Sequence, residues 1–564
     1  YTNTEGNQMN NWTKDAVFYH IYPLGFCGCE QYHQESINHR ILKLKEWIPH
    51  LVDMHINAVY LGPVFESYEH GYDTSDYRMI DHRLGTNEDF KEVCDALHEA
   101  GIRIVLDGVF NHVGRRFWAF LDVIEKGQAS CYCSWFHNLN FYGQSPCGDP
   151  FTYDAWEGHY NLVKLNLRNE EVVSYLLESI AMWMDEFHID GLRLDAADCI
   201  DQDFFRRLKQ FCKEKAPDFW LMGEIIHGDY NRWANDEMLD SVTNYECYKG
   251  LYSSHNEKNY FEIAYSLNRQ FGNGGIYRNL NLYNFVDNHD VNRLASTLKD
   301  SNDLKNVYTM LYTMPGIPSI YYGSEWAVKG TKHDGSDADI RPCLPLEDPS
   351  YDEELCEHIA MLGKIYGELS ALRYGAYEQL VVRNEQFAFM RKDEKTHVVV
   401  AFNVSDDTFT MELPCAAFAY KDMCKDVVYL AKDNHIELDM EPKSAYILIP
   451  CADNEKGVVK KMPKKIIKEE APEQEVMPLP ETKEEQAIEL PVIDMPITPG
   501  VYEHFKGKHY TVLYVAKHSE TLESYVVYRQ LYGNGEVWIR PLDMFLKDVE
   551  VDGKIVPRFK YIGK

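Results

Sequence analysis

Short, mostly apolar runs alternate with amphipathic stretches from Ala16 to about Arg373. Ala16–Tyr22, Ala58–Leu61 and Ile102–Asp107 read as strands. Between them, Ile41–Met54 and Asn87–Ala100 show helical spacing, the second with Thr86 as its N-cap. Further strands are predicted at Leu192–Leu194, Trp220–Gly223, Asp240–Thr243, Asn281–Val286 and Ser319–Tyr322. Strands that alternate with helices in this way across residues 12–375 predict an α/β fold, a (β/α)8 TIM barrel with an inserted domain after the third strand.

The insertion, at about 112–165, reads as irregular. Trp118, Tyr132, Trp135, Phe136, Tyr142 and Tyr153 lie among Gly, Ser, Asn and Pro, and a segment this long inside a barrel is expected to wall a functional cleft. Residues 376–452 carry short β runs such as Phe387–Arg391, Val398–Phe402 and Tyr446–Ile449, which predict a small antiparallel β-sandwich. From 453 to 498 the chain turns to Lys, Glu and Pro without an aromatic residue, a solvated linker. Residues 499–564 are aromatic and β-rich again and predict a separate small β domain, whose rings are expected to form its own core. Residues 1–11 read as an N-terminal tail, with Met9 as a candidate start.

Charge narrows the chemistry. Asp and Glu number 89 against 57 Lys and Arg, a net charge of −32, which repels nucleic acid and anionic lipid and suits a neutral substrate. No apolar run approaches the roughly 20 residues that span a bilayer, and no apolar signal core stands at the N-terminus. The 14 cysteines are scattered, and the pairs Cys27/Cys29 and Cys131/Cys133 lack partners at zinc-like spacing, so reduced thiols in a cytoplasmic protein are expected.

The candidate chemistry lies at the strand ends, where barrels of this kind gather functional side chains. The third strand ends in Asp107–His112, the fourth in Arg193 and Asp195, the fifth in Gly223–Glu224 and the seventh in Asp287–Asp290. Converging carboxylates serve either a hard metal or acid/base work. A metal would not call for Arg193, which shares a strand face with Asp195 and favours its ionised form, although a structural ion pair has the same pattern. Glu224 follows the apolar run Phe219–Met222, where desolvation would let it keep a proton. An ionised Asp opposite a protonated Glu suits glycosidic bond cleavage, with retention if the carboxyls stand roughly 5 to 5.5 Å apart.

Asp107–His112, Gly191–Asp198, Gly223–Glu224 and Val286–Asp290 resemble the four signature regions of the α-amylase family, glycoside hydrolase family thirteen. His70–Asp73, Met314–Pro318 and Asp337–Arg341 add to the resemblance, which covers about 12–450. It implies Asp195 as nucleophile, Glu224 as general acid/base and Asp290 as transition-state stabiliser. It also implies that Tyr72 stacks on the sugar, that His112 and His289 bond its hydroxyls, that Arg193 orients Asp195, and that Asp337 and Arg341 clamp the ring. Leu162–Asn166 resembles the neopullulanase and cyclomaltodextrinase branch, but that branch's N-terminal dimerisation domain does not fit before Trp12, so a monomer is expected. Calcium, which secreted members hold near the position of Asn111, is disfavoured by Cys199 and an insertion poor in carboxylates, and no cofactor or metal is expected. Asp198 is either an acceptor-side residue or a helix N-cap. The implied activity is retaining hydrolysis of α-1,4 bonds in maltooligosaccharides, starch fragments or cyclodextrins. A transglycosylase with the same intermediate and an inactive carbohydrate-binding homologue are the alternatives. The last segment resembles a small bacterial domain of unknown function.

Overall fold

The computed structural model describes residues 12–425, 427–451, 497–498, 500–517, 523–532, 537–551 and 554–563. The expected tail at 1–11 and the expected linker at 453–498, apart from Ile497 and Thr498, lie outside the described residues. The chain divides into two units at Pro463/Lys464, each with its own core.

In the first unit, eight short strands form one parallel sheet: β1 Phe18–Ile21, β2 Ala58–Leu61, β3 Arg103–Gly108, β4 Gly191–Leu194, β5 Trp220–Gly223, β6 Ser241–Val242, β7 Tyr283–Asn284 and β8 Ile317–Tyr321. The order is β6, β5, β4, β3, β2, β1, β8, β7, and a parallel bridge between Thr243 and Tyr283 brings the two ends together into a barrel. Every strand is buried, yet the side chains still alternate. Phe18, Tyr60, Val105, Trp220, Met222 and Tyr283 pack together inside the ring. Tyr19, Val59, Leu61, Ile104, Leu192 and Leu194 join Trp47, Phe90 and Ile180 of the surrounding helices. The run before β8 turns at Gly316, whose φ of +119° and contacts leave no room for a Cβ, which would stand 2.3 Å from Asn284 Nδ2.

Two helices show how the amphipathic stretches close. Lys43–Asp53 (α1) and Asn87–Glu99 (α2) follow β1 and β2, and α2 opens with a capping box in which Thr86 and Asp89 satisfy each other's backbone N–H. The insertion is more regular than its composition predicts. It holds a helix, Trp118–Lys126, and a three-stranded sheet of His112–Gly114, Ala155–Trp156 and His159–Lys164. The reason is a short apolar stripe, Ala119, Phe120 and Val123, that buries Phe120 against Phe136, Phe151 and Tyr153.

Past the barrel, β9 Ala376–Val382, β10 Gln386–Lys392, β11 His397–Asn403, β12 Phe409–Pro414, β13 Ala419–Asp422, β14 Val428–Leu430, β15 His435–Met440 and β16 Ser444–Pro450 form a six-stranded sheet and the two-stranded β12/β15 sheet. Phe387, Phe389, Val400 and Phe402 belong to the core of the barrel's helices, whereas Ala388, Val399 and Ala401 pack with Leu413 and Leu438 of the small sheet. Buried Arg391 joins the layers by donating to the carbonyls of Thr313 and Gly375.

The second unit is a five-stranded antiparallel sheet of 500–504, 509–517, 524–530, 537–541 and 559–563, with one short helix at Leu542–Leu546. Tyr502, Tyr528, Phe545 and Phe559 make its core, with the last two rings stacked at 4.1 Å. Among the described residues no helix is long and apolar enough to cross a membrane.

Candidate active site

Strand register assembles the site. Arg193 on β4 stands opposite Asp107 on β3 and Met222 on β5, so its guanidinium enters the barrel between two strand ends that each deliver a carboxylate. Nη1 donates to Asp107 Oδ1 and Oδ2 at 2.9 and 3.1 Å and to Asp195 Oδ1 at 3.0 Å. Nη2 lies 2.9 Å from Glu224 Oε2. The guanidinium is therefore not reserved for Asp195, as the spacing of the two residues on one strand suggests, but is divided among three acids. Asp107 is fully committed, since it also accepts the hydroxyls of Tyr60 at 2.7 Å and Tyr72 at 3.0 Å.

The backbone after β4 adds a fourth donor. Ala196 adopts a left-handed conformation, φ +43°, which aims its N–H at Glu224 Oε2 at 3.2 Å. A non-glycine residue in that region stores strain of order 1 kcal/mol, and here it stands between the two acids. Burial pushes the Asp195 carboxyl well up; Arg193 pulls it down, while Glu224, Asp107 and Asp290 push it up again.

Asp290, in the loop after β7, is more open, with 37% of its side chain exposed. Its Oδ2 is 3.0 Å from His289 Nε2 and its Oδ1 accepts from Arg341 Nη2 at 3.0 Å. Burial alone would raise this carboxyl, but His289, Arg341 and Arg193 hold it well below the usual range. Arg341 also pairs with Asp337 at 2.9 Å and lies over the Tyr22 ring. The rings of Tyr72 and Tyr22 both stack with that of His289, and the Tyr72 hydroxyl is hydrogen-bonded to His289 Nε2. His112 is buried with Nε2 3.9 Å from Asp195 Oδ2 and without a hydrogen-bond partner among the described residues. Burial, with His70 nearby, pushes His112 down to about 3, so it stays neutral.

All nine residues singled out in the sequence occupy this one region through direct contacts of Asp195, Glu224, Asp290, Arg193, Tyr72, His112, His289, Asp337 and Arg341. Asp198 is exposed and is not a helix cap: the next helix begins at Gln202 with Asp201 as its N-cap. Three residues escaped sequence reasoning. Tyr60 supports Asp107; Tyr245 places its hydroxyl 3.4 Å from Glu224 Oε1 and accepts from Asn288; the Trp156 ring lies 5.9 Å from that of His112. Only Tyr60 had a legible signal, its inward position on β2. Asn111 Oδ1 is buried and has no hydrogen-bond partner among the described residues.

A closed parallel barrel that brings two carboxyls onto one guanidinium at its strand ends, beside stacked aromatic rings, defines a glycoside hydrolase. The chain belongs to the α-amylase family: residues 43–361 match the family described as alpha amylase, catalytic domain. It is 30% identical over 413 residues to a cyclomaltodextrinase of a Bacillus species, an alignment covering 70% of this chain and 73% of that one. The solved structure of a cyclomaltodextrinase superimposes with a TM-score of 0.71 at 27% identity, covering 78% of each chain. A ligand-free cyclic alpha-maltosyl-(1→6)-maltose hydrolase from Arthrobacter globiformis superimposes with a TM-score of 0.67 at 25% identity, covering 78% of this chain and 99% of that one. Residues 500–561 match a family described as a protein of unknown function, DUF1653. The protein is thus a hydrolytic enzyme of the α-amylase type.

Proposed function

We propose that the enzyme cleaves α-1,4-glucosidic bonds of maltooligosaccharides or cyclodextrins with retention, through a covalent intermediate on Asp195. One observation carries the reading: Asp195 Oδ1 and Glu224 Oε2 are held on the two terminal nitrogens of Arg193, which brings the carboxyls close together, as double displacement requires. In this reading Glu224 carries its proton on Oε1, the oxygen that Arg193 does not touch. Glu224 gives it to the glycosidic oxygen as Asp195 attacks the anomeric carbon, and the C–O bond to the leaving sugar breaks. Glu224 then takes a proton from water, which attacks the same carbon and frees Asp195. Asp290, kept ionised by its cations, stabilises the positive charge that develops on the sugar ring. Tyr72 offers its ring to the sugar, while His112 Nε2 and His289 meet its hydroxyls, and Arg341 with Asp337 borders the same subsite. The substrate class is supported by the relatives named cyclomaltodextrinase. All 14 cysteines are free, in keeping with a reducing, cytoplasmic location.

The test is turnover of maltoheptaose, β-cyclodextrin and pullulan, with product analysis and the variant Glu224→Gln. Loss of the general acid lowers kcat on natural glucans by roughly 10²–10⁴-fold. A maltosyl fluoride, whose leaving group needs no proton, loses far less in its first step. Equal losses on both substrates would remove Glu224 from the role of acid. Early products longer than the substrate would instead mark a sugar as the preferred acceptor.

A further inference from the structure

We propose that His33, Glu66 and His82 bind one divalent transition-metal ion of the zinc type, tying the segment after β1 to the hairpin that leads into Tyr72. One ligand atom from each residue lies within 4.8 Å of the others, and this is the one such group of three among the described residues. His33 Nδ1 is 2.5 Å from Glu66 Oε1, and the two imidazole rings are 5.6 Å apart. The residues are 33 and 16 positions apart in sequence, so no spacing motif announces them as ligands.

The second observation is a pair of buried atoms without hydrogen bonds. Glu66 is 7% exposed; its Oε2 accepts the backbone N–H of His82 at 2.9 Å, but Oε1 has no hydrogen-bond partner among the described residues despite its closeness to His33. His82 Nδ1 is likewise buried and unpartnered. Neighbouring charges do not resolve this. Both oxygens of Asp81 are taken by Ser67 and Arg83, and the guanidinium of Arg83 is spent on Asp81, Ser67 and the carbonyls of Glu30, Gln31 and Glu69. An ion pair between His33 and Glu66 accounts for two of the three groups and leaves His82 Nδ1 stranded. A cation accounts for all three.

Two imidazole nitrogens and one carboxylate oxygen, with a position left for water, form a donor set for zinc or a similar borderline ion rather than for calcium or magnesium. The side chain of His33 is 24% exposed, which leaves a way in. Bound metal would join three segments: the loop of His33, whose N–H donates to Tyr68 O, the strand Phe65–Ser67, and the turn after Ile80. Asp73 gathers the N–H groups of Tyr68, Glu69 and His70, so the clamp would reach the segment that holds Tyr72.

Chelator-stripped full-length protein titrated with ZnCl2 by calorimetry, and with CoCl2 by absorbance, tests the assignment. The wild type should take up one equivalent that His33→Ala loses or binds at least tenfold more weakly, and zinc should raise the melting temperature of the wild type but not of His33→Ala. His82→Ala should repeat the loss. Because the chain also carries 14 free thiols, the cobalt spectrum separates the ligands: tetrahedral d–d bands without thiolate charge transfer support the site. Identical zinc uptake by the wild type and His33→Ala, or a thiolate spectrum that survives in the variant as in the wild type, would overturn it and leave His33 and Glu66 as an ion pair only.

Discussion

Arg193→Met removes the cation at the centre of the site while keeping most of the side chain's apolar length. The side chain is 4% exposed and touches Asp107, Asp195 and Glu224, so the variant leaves three carboxyls facing one another without a counter-ion. Breaking a buried ion pair by deleting one partner costs about 3–5 kcal/mol, and three partners put this position at the upper end. The cost depends on pH in a defined direction. In the unfolded chain these carboxyls titrate near 4, but in the folded variant burial and mutual repulsion raise them. A carboxyl raised on folding supports the fold below its unfolded value, and that support is lost as pH rises through the folded value. The deficit against the wild type is therefore small near pH 4 and grows toward pH 8. Urea unfolding of both proteins across that range, at matched slopes, measures it. A deficit below about 1 kcal/mol at pH 8, or one that does not change with pH, would mean that the acids are not gathered on this guanidinium.

Buried histidines set the acid limit of stability. Burial pushes His112 down to about 3 and His255 and His358 down to about 4, so each is neutral in the fold and takes up a proton on unfolding below about 6.5. Their contribution is complete above pH 6.5 and falls by roughly 1.4 kcal/mol per pH unit for each histidine as the pH drops toward their folded values. Denaturant unfolding between pH 7 and 4.5 should show that decline, and a flat profile would contradict it. Arg391→Ala strands the carbonyls of Thr313 and Gly375 between barrel and sandwich and should lower stability by about 3 kcal/mol, read as a fall in Tm; an unchanged Tm would mean that the layers do not depend on this contact.

Residues on one strand were easy to place from the chain alone. Arg193 and Asp195 share a face because side chains two apart must, and the apolar runs marked the strands whatever their partners. The edges of the elements were harder. β6 and β7 are two residues long, and their ends are set by pairing across the ring rather than by local preference. The insertion looked irregular because three apolar residues on one helix turn carry little signal until Phe136, Phe151 and Tyr153 arrive from elsewhere to cover them.

The chain by itself determined the alternating architecture, the acids at the strand ends and the change of composition after residue 452, since each follows from neighbours in sequence. Only the tertiary structure decided which acids share a cation. Register places Asp107 opposite Arg193, and the left-handed turn at Ala196 brings Glu224 onto the same guanidinium. Tyr245, Trp156 and the cluster of His33, Glu66 and His82 were likewise decided by packing, because residues far apart in the chain acquire a common chemistry only when folding removes the water between them.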